Sequence, residues 1–203
     1  MRRLIIVGGG NSVREGISTG LWRRINIRNL DIMGINSASL KMGFCPDIAV
    51  WLDNKPTPHS SQQTKLLPCL RFTKENPPVG VPEEVYQCRL EQRAEKFPGC
   101  LANHAQFVGK RVITGIFALS LAIYLKYKKI YLLGFDWTPV NGLSDWYQEK
   151  DTTGIWLKGG QTPHEDIKEH DVFKGLAEIK NVSPESKIPS FPKISYEQFY
   201  REI

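Results

Sequence analysis

A glycine turn near the start of the chain holds the first residues whose types suit a chemical role. It follows the apolar run Leu4–Val7 and consists of Gly8, Gly9, Gly10, Asn11 and Ser12. Glycine lets backbone amides approach a ligand closely, and an Asn or Ser at a helix start leaves an N-terminus that attracts anions. The pattern predicts the phosphate-binding turn of a nucleotide-binding α/β domain. It is neither G-x-G-x-x-G nor a P-loop, so a purely structural strand-to-helix turn is the alternative.

Polar residues also follow three further apolar runs. They are Asn36 and Ser37 after Leu30–Ile35, Asp53 and Asn54 after Ile48–Leu52, and Asp136, with Trp137, after Ile130–Gly134. In open parallel sheets, ligands bind outside the carboxyl ends of the strands. Together with the glycine turn, these residues predict one binding site at that edge. Turn formation and helix capping are the alternative for each position taken alone.

Two other groups of residues suit an anionic ligand. Arg111, Thr114 and Gly115 place a cation and a hydroxyl beside the backbone donors of a predicted helix start, which suits a phosphate. A surface charge and a helix cap are the alternative there. His164 and His170 lie in or beside the long segment after Asp136, and a histidine beside an anionic ligand can act as general base near neutral pH. No Asp-x-Asp and no C-x-x-C occurs, so the sequence supports no metal centre.

These residues require elements that bring them together. The predicted strands are Leu4–Val7, Leu30–Ile35, Ile48–Leu52 and Ile130–Gly134, with shorter ones at Leu70–Thr73, Val85–Cys88 and Ile179–Val182. The predicted helices are Arg14–Ile25, Ser39–Gly43, Ile113–Leu125 and Asp166–Ile179. Strands that are apolar almost throughout and alternate with helices predict an α/β fold, a Rossmann-like parallel sheet with helices on both faces.

One long segment, residues 137–165, fits no regular element. It is rich in Trp, Gly and Asp and contains Trp146 and Tyr147. Loops of this length inside a compact domain are usually functional or disordered, and a high aromatic content disfavours disorder. The segment is therefore predicted to be an aromatic-rich lid loop over the site.

The totals bound the class of protein. The 203 residues, 41% hydrophobic and 24% charged, predict a single domain over 1–203. No apolar run is long enough to span a bilayer, and no signal peptide is recognised, so a cytoplasmic location is expected. The net charge of +6 favours an anionic ligand such as a nucleotide sugar, and nucleic acid is disfavoured because no nucleic-acid-binding motif occurs. Reduced, mostly buried thiols are expected for Cys45, Cys69, Cys88 and Cys100.

Four blocks of the sequence resemble the small bacterial sialyltransferases of glycosyltransferase family 42. The residues Ile5–Glu15 resemble the family's opening strand, Gly-Asn-Gly-Pro-Ser type turn and helix. The other blocks are Met33–Asn36 with Ala49–Asn54, Arg111–Gly115 through Lys129–Asp136, and Asn181–Ser186 with Phe191. The same blocks look like motility-accessory-factor relatives and like uncharacterised, partly phage-encoded proteins. The resemblance implies a GT-A-variant, sialyltransferase-like fold.

The resemblance also implies an activity, namely metal-independent transfer of a sugar from a cytidine-nucleotide donor to the hydroxyl of a glycan acceptor. No separate cofactor is implied, because the CMP-sugar is itself the substrate. By the resemblance, Gly8–Ser12, Asn36, Asp53 and Asn54 would hold the ribose, phosphate and base. Arg111 and Thr114 would hold the donor phosphate or carboxylate, Tyr147 would assist the leaving phosphate, and His170, or else His164, would be the general base. Homo-oligomers, common in that family, are expected.

Some positions depart from the family pattern. Asn11 stands where the family has Pro, Ile113-Thr114 replaces Thr-Ser, and the paired lid tyrosines have no clear counterparts, since Thr138 falls near the first and Trp146-Tyr147 near the second. Two other functions therefore stay open. One is an ATP- and Mg²⁺-dependent, pyrophosphokinase-like phosphotransferase, because that group uses a related fold. The other is a nucleotide-binding protein without turnover.

Overall fold

The computed structural model describes residues 2–25, 30–51, 69–74, 86–88, 114–137, 146 and 169–203. Seven strands of this part form one sheet in which all neighbours are parallel. The strands are β1 (Arg3–Val7), β2 (Asp31–Ile35), β3 (Ile48–Trp51), β4 (Leu70–Lys74), β5 (Tyr86–Cys88), β6 (Lys129–Leu133) and β7 (Glu178–Asn181). The predicted Rossmann-like parallel sheet is confirmed.

The order of the strands defines where a ligand is expected. Across the sheet they run β5-β4-β3-β2-β1-β6-β7. The chain thus builds outward from β1 to β5 and then returns to place β6 on the other side of β1. In open α/β sheets, the crevice at such a reversal, outside the carboxyl ends of the strands, is the usual ligand site. Val7 pairs with Leu133, so the glycine turn leaves β1 level with the end of β6.

The helices cover both faces of the sheet. They are α1 (Val13–Ser18), α2 (Leu21–Ile25), α3 (Ala38–Lys41), α4 (Thr114–Tyr124), a 3₁₀ helix (Glu169–Phe173) and α5 (Tyr196–Glu202). Leu4 and Ile6 pack into a core with α4 on one face, whereas Ile5 and Val7 pack with α1, α2 and α5 on the other. The central strands β1, β2, β3 and β6 are buried on both sides, which is why they read as continuous apolar runs.

Two predicted helices are wrong in extent. The single helix expected over Arg14–Ile25 is two short helices, because Gly20 has a φ of +81° and breaks the right-handed run between them. The helix expected over Asp166–Ile179 is, in its described part, only the 3₁₀ helix. Ile179 belongs to β7, as the predicted strand Ile179–Val182 had it, and pairs there with Ile130, so pairing with β6 decides between two predictions that both included this residue.

The end of the described chain holds a helix that the sequence analysis did not predict. At the start of α5, Ser195 Oγ accepts from the Gln198 amide at 3.2 Å and Gln198 Oε1 accepts from the Ser195 amide at 3.0 Å. This Ser-x-x-Gln capping box is a recognisable start signal. Tyr196 and Phe199 then bury their rings in the core.

Two further observations concern the chain totals. Cys45 is exposed and Cys69 half-buried, so the expected burial is wrong for Cys45. In the described part of the chain, no helix has the length and apolar character needed to cross a membrane.

Candidate functional site

The glycine turn is held directly against the end of β6. The Gly8 amide donates to the Leu133 carbonyl at 2.8 Å, and the Gly10 amide donates to the Gly134 carbonyl at 2.9 Å. A Cβ on Gly8 or on Gly10 would lie 2.8 or 2.6 Å from the Gly134 carbonyl oxygen. Gly134 itself has a φ of +70°. Glycine is needed here because two backbones approach too closely for any side chain.

Asp136 and Ser12, predicted as separate site residues, are bonded to one another. Asp136 Oδ2 accepts from the Ser12 amide at 2.6 Å, and Oδ1 accepts from Ser12 Oγ at 2.5 Å. The carboxylate is buried, with 3% of the residue exposed. Because the Ser12 amide already donates to the Asp136 carboxylate, a bound phosphate would have to use other donors of the turn.

A second pair of predicted residues meets beside this turn. Asn36, at the end of β2, has a φ of +50°, and its Nδ2 donates to Thr114 Oγ1 at 3.3 Å. Thr114 opens α4 and is buried. The backbone amide of Asn36 donates to the Val50 carbonyl at 2.8 Å, which ties the end of β2 to β3. Ser37, which follows, is buried just before α3.

The ring of Phe135 joins the two pairs into one site. A Cβ on Gly8 would lie 3.4 Å from this ring, and a Cβ on Gly115 would lie 3.1 Å from it. The ring thus separates the glycine turn from the start of α4. The glycine turn, Asp136, Asn36, Thr114 and Gly115, all predicted from the sequence, lie at the same edge of the sheet.

Two polar residues behind the site fix the backbone on either side of Phe135. Asn181 Nδ2 donates to the Phe135 carbonyl at 3.0 Å and to Ser186 Oγ at 2.9 Å, and Ser186 Oγ donates to the same carbonyl at 2.6 Å. The Lys187 amide donates to the Asp136 carbonyl at 2.8 Å. Asn181 and Ser186 are fully enclosed, so they support the site from within. The sequence signalled them only through the Asn181–Ser186 block.

His170, the predicted general base, is completely covered. Its ring has no exposed surface and makes edge contacts with three aromatic rings. The centroid distances are 6.5 Å to Phe135, 6.0 Å to Trp137 and 6.1 Å to Phe191. Trp137 is the half-exposed member of this group. The ring therefore lies next to the site but behind aromatic side chains, and its role as base stays a prediction.

Trp146 is the residue whose contribution the sequence analysis missed. It is buried against the glycine turn, where its Nε1 donates to the Gly8 carbonyl at 3.0 Å and its backbone amide donates to the Gly9 carbonyl at 2.7 Å. The indole packs against the ring of Trp22, and the two ring centroids are 5.7 Å apart. The density of aromatic residues around it was noted, but nothing in their spacing indicates which one reaches the turn.

The remaining predicted positions lie outside the described residues. They are Asp53, Asn54, Arg111, Tyr147, His164 and, apart from Trp137 and Trp146, the predicted lid of residues 137–165. Within the described part, no group of three or more His, Cys, Asp or Glu side chains is placed to hold a metal ion.

One titratable group beneath the site has a displaced pKa. Burial, and next to it the charge of Asp136, raise the pKa of the Tyr196 phenol well above its usual range. The ring of Tyr196 also packs on α1, since a Cβ on Gly16 would lie 2.3 Å from its Cε1. A neutral phenol thus lies under the helix that follows the glycine turn.

The fold is that of bacterial sialyltransferases and a related glycosyltransferase. No family model and no curated protein matches the sequence, but solved structures do. The sialyltransferase CstII from Campylobacter jejuni, in complex with the substrate analogue CMP-3FNeuAc, matches with a TM-score of 0.60 and 17% identity, over 96% of this chain and 87% of that one.

Two further solved structures share this fold. The monofunctional α-2,3-sialyltransferase Cst-I from Campylobacter jejuni matches with a TM-score of 0.61 and 17% identity, over 95% of this chain and 80% of that one. The MAf glycosyltransferase from Magnetospirillum magneticum matches with a TM-score of 0.59 and 16% identity, over 96% of this chain but 34% of that one. The resemblance predicted from the sequence is confirmed for the fold.

Proposed function

We propose that this protein binds a cytidine-nucleotide sugar at the strand reversal and transfers the sugar to an acceptor hydroxyl without a metal ion. The observation that carries the proposal is the meeting of two predicted pairs, Ser12 with Asp136 and Asn36 with Thr114, on either side of Phe135. Solved structures that share the fold include a sialyltransferase in complex with CMP and one in complex with a CMP-sugar analogue. Their ligands are the reason for choosing a cytidine nucleotide.

The charges of the site constrain how such a ligand lies. The buried carboxylate of Asp136 repels a phosphate and attracts a hydroxyl, so the phosphate belongs away from that carboxylate, between the remaining donors of the glycine turn and the start of α4. There Thr114 Oγ1 and the start of the 11-residue helix α4 offer donors, and Arg111, a few residues earlier in the chain, supplies a cation. The ribose hydroxyls then belong near Asp136 and Asn36.

The proposed reaction is a displacement at the anomeric carbon. The acceptor oxygen forms a bond to that carbon while the bond from the carbon to the phosphate oxygen breaks, and CMP leaves with the electron pair. The acceptor proton passes to a histidine, and Tyr147 donates a hydrogen bond to the leaving phosphate. His170 can take the proton only if Trp137 swings away from it, because a general base must come within hydrogen-bond reach of the hydroxyl. His164 is the second candidate.

Ligand-induced thermal stabilisation tests the binding step. The purified chain is melted with CMP, CDP, UDP, GDP or ATP, each with and without Mg²⁺. A ligand at about 100 times its Kd stabilises the folded state by about 2.7 kcal/mol, which raises the Tm of a domain of this size by roughly 5–11 °C. The proposal expects this rise with CMP in the absence of Mg²⁺. A rise confined to ATP with Mg²⁺ would instead support the phosphotransferase, and no rise with any nucleotide would refute the site.

Paired variants show where the ligand binds. Asn36→Ala and Thr114→Val remove the polar contacts at the start of α4, and each is expected to reduce the CMP-induced rise by more than half. Ser18→Ala, at the exposed end of α1, is the control and should keep the full rise. Equal rises in all three variants would place CMP elsewhere on the molecule.

The enclosure of His170 favours a second candidate function, nucleotide binding without turnover. The two functions separate on release of CMP from a CMP-sugar in the presence of an acceptor hydroxyl. For the transferase, His170→Ala or His164→Ala abolishes release and leaves CMP binding intact. For the binding protein, wild-type chain releases no CMP above the spontaneous rate.

A further inference from the structure

Trp146 holds two consecutive carbonyls of the glycine turn. Its indole Nε1 donates to Gly8 and its backbone amide donates to Gly9, at 3.0 and 2.7 Å. Both donors of a residue that is only 8% exposed are thereby used. Tryptophan combines a large apolar ring with a single N–H, so a buried indole that reaches a carbonyl is fixed in position as well as in orientation.

The anchor of this indole is the core on the α1 and α2 side of the sheet. The ring of Trp146 lies 5.7 Å from that of Trp22, which in turn lies 5.8 Å from Phe44. Trp146 packs in the same core cluster as Val7 and Leu21. The start of α4, where Thr114 lies, is on the opposite face. The carbonyls of the turn are therefore held toward the first face.

The peptide geometry then sets the direction of one amide. In a planar trans peptide, the carbonyl and the N–H point in opposite directions. The Gly8 carbonyl shares its peptide with the Gly9 amide, so fixing that carbonyl toward Trp146 turns the Gly9 N–H away from Trp146. The amides of Gly8 and Gly10 donate to carbonyls at the end of β6, and the amide of Ser12 donates to Asp136. The Gly9 amide has no acceptor among the described residues, and Gly9 is partly exposed.

We infer that Trp146 is a positioning residue, which aims the Gly9 amide at the phosphate of the bound nucleotide. This inference rests on the proposed function, because it supplies the phosphate with a backbone donor of the turn that is bonded neither to β6 nor to Asp136. Trp146 itself does not contact the ligand. Trp146 affects only the orientation of the peptide between Gly8 and Gly9. It therefore changes only the part of the nucleotide affinity that depends on the phosphate.

Calorimetric titration of Trp146→Phe with two ligands tests this role. Phenylalanine keeps the aromatic ring and the backbone bond to Gly9 but removes the bond to the Gly8 carbonyl. We expect CMP to bind about tenfold more weakly, corresponding to about 1.4 kcal/mol, while cytidine, which lacks the phosphate, binds within twofold of wild type. Ser18→Ala, at the exposed end of α1, should leave both affinities within twofold. Equal losses for CMP and cytidine, or no loss for CMP, would overturn the assignment.

An NMR titration of the wild-type chain keeps the inference testable if the variant fails to fold. In a ¹⁵N-labelled sample, inorganic phosphate is expected to move the Gly9 amide resonance more than those of Gly8 and Gly10. A shift with phosphate but no binding of CMP would refute the proposed function and retain only the Gly9 amide as a phosphate donor. An unmoved Gly9 resonance with both phosphate and CMP would refute that role, even if CMP binds elsewhere.

Discussion

The two ends of the parallel strands satisfy their polar groups in opposite ways, and we call them the amino edge and the carboxyl edge of the sheet. Toward the amino edge, charges are paired with charges: Glu202 lies 2.7 Å from Lys180 and 3.0 Å from Lys129, and it accepts from the Tyr131 hydroxyl at 2.9 Å. At the carboxyl edge, the carboxylate of Asp136 is held by the neutral donors of Ser12.

This difference separates the end of the strands that holds the sheet together from the end at which we propose that a ligand binds. An ion pair cancels its own field, so little attraction for a ligand remains. A carboxylate bonded to neutral groups keeps its charge, and strong local fields are what a ligand with hydroxyls and a phosphate can recognise. Asp31, at the start of β2, is a second example of a paired charge at the amino edge, because it accepts hydrogen bonds from Arg2 and Tyr127. Variants at the two edges should therefore fail in different ways.

The largest effect is expected from Gly10→Ala at the carboxyl edge. The new Cβ would lie 2.6 Å from the Gly134 carbonyl oxygen and 2.8 Å from Asp136 Oδ2, so the backbones of β1 and β6 must separate. The free energy of unfolding should fall by about 3 kcal/mol, as measured by urea denaturation. Gly43→Ala is the matched control: its φ is +80° but no atom lies within 4 Å, so only the conformational cost of about 1–2 kcal/mol applies. Similar losses in both variants would show that close approach is not the constraint.

An intermediate effect is expected from Asp136→Asn. In the variant, the side-chain amide oxygen still accepts from the Ser12 amide, and the NH₂ group donates to Ser12 Oγ, since a hydroxyl can also accept. Both bonds therefore persist but lose the strength that the charge of the carboxylate gives them. A loss of about 2 kcal/mol in the free energy of unfolding follows. Ser12→Ala removes only the hydroxyl bond and should cost about 1 kcal/mol. If the two variants lose the same amount, the charge of Asp136 adds nothing to its bond with the Ser12 amide.

The smallest effect is expected from Glu202→Gln at the amino edge. Burial alone would raise the pKa of Glu202, but hydrogen bonds from Lys180, Lys129 and Tyr131 outweigh it and lower that pKa to about 2. At neutral pH the variant should lose about 1 kcal/mol, since the group is partly open to solvent. CMP binding should be unchanged, which contrasts this edge with the other.

The pH dependence of that loss follows from the direction of the shift. A carboxylate with a lowered pKa stabilises the folded state fully above its ordinary value of 4.5, and the contribution disappears as the pH falls toward 2. The difference in Tm between wild type and Glu202→Gln should therefore be constant above pH 5.5 and vanish between pH 4.5 and 2. A constant difference down to pH 2 would show that the loss is one of packing.

The sheet could be predicted from the sequence because strands that are buried on both faces are apolar along their whole length. Apolar runs such as Ile130–Leu133 can hardly be anything but covered strands, and their polar ends marked the site edge in advance. Prediction failed where a long-range contact decides between two local possibilities. Ile179 suited both the end of a helix and the start of the predicted strand Ile179–Val182, and its pairing with Ile130 decides for the strand. The helix α5 was not predicted, although Ser195 and Gln198 form a recognisable cap.

The partners within the site could not be predicted for the same reason. Ser12 and Asp136 were both singled out, but they are 124 positions apart, and no local pattern states that one bonds the other. Trp146 is the clearest case, since its value lies in reaching the carbonyls of Gly8 and Gly9. Residue type and spacing identify a candidate, whereas only the fold shows what it touches.

The strand reversal has a consequence for the order of folding. β1 and β6 are more than a hundred residues apart in the chain, so the contact between Gly8 and Leu133 is one of high sequence separation, which forms slowly. A nascent molecule can pair β1 with β2 and still lack the edge at which the ligand would bind. Hydrogen exchange at the amides of Gly8 and Gly10 reports directly on whether β6 has docked. The proposed binding site is thus complete only when β6, from the second half of the chain, has paired with β1.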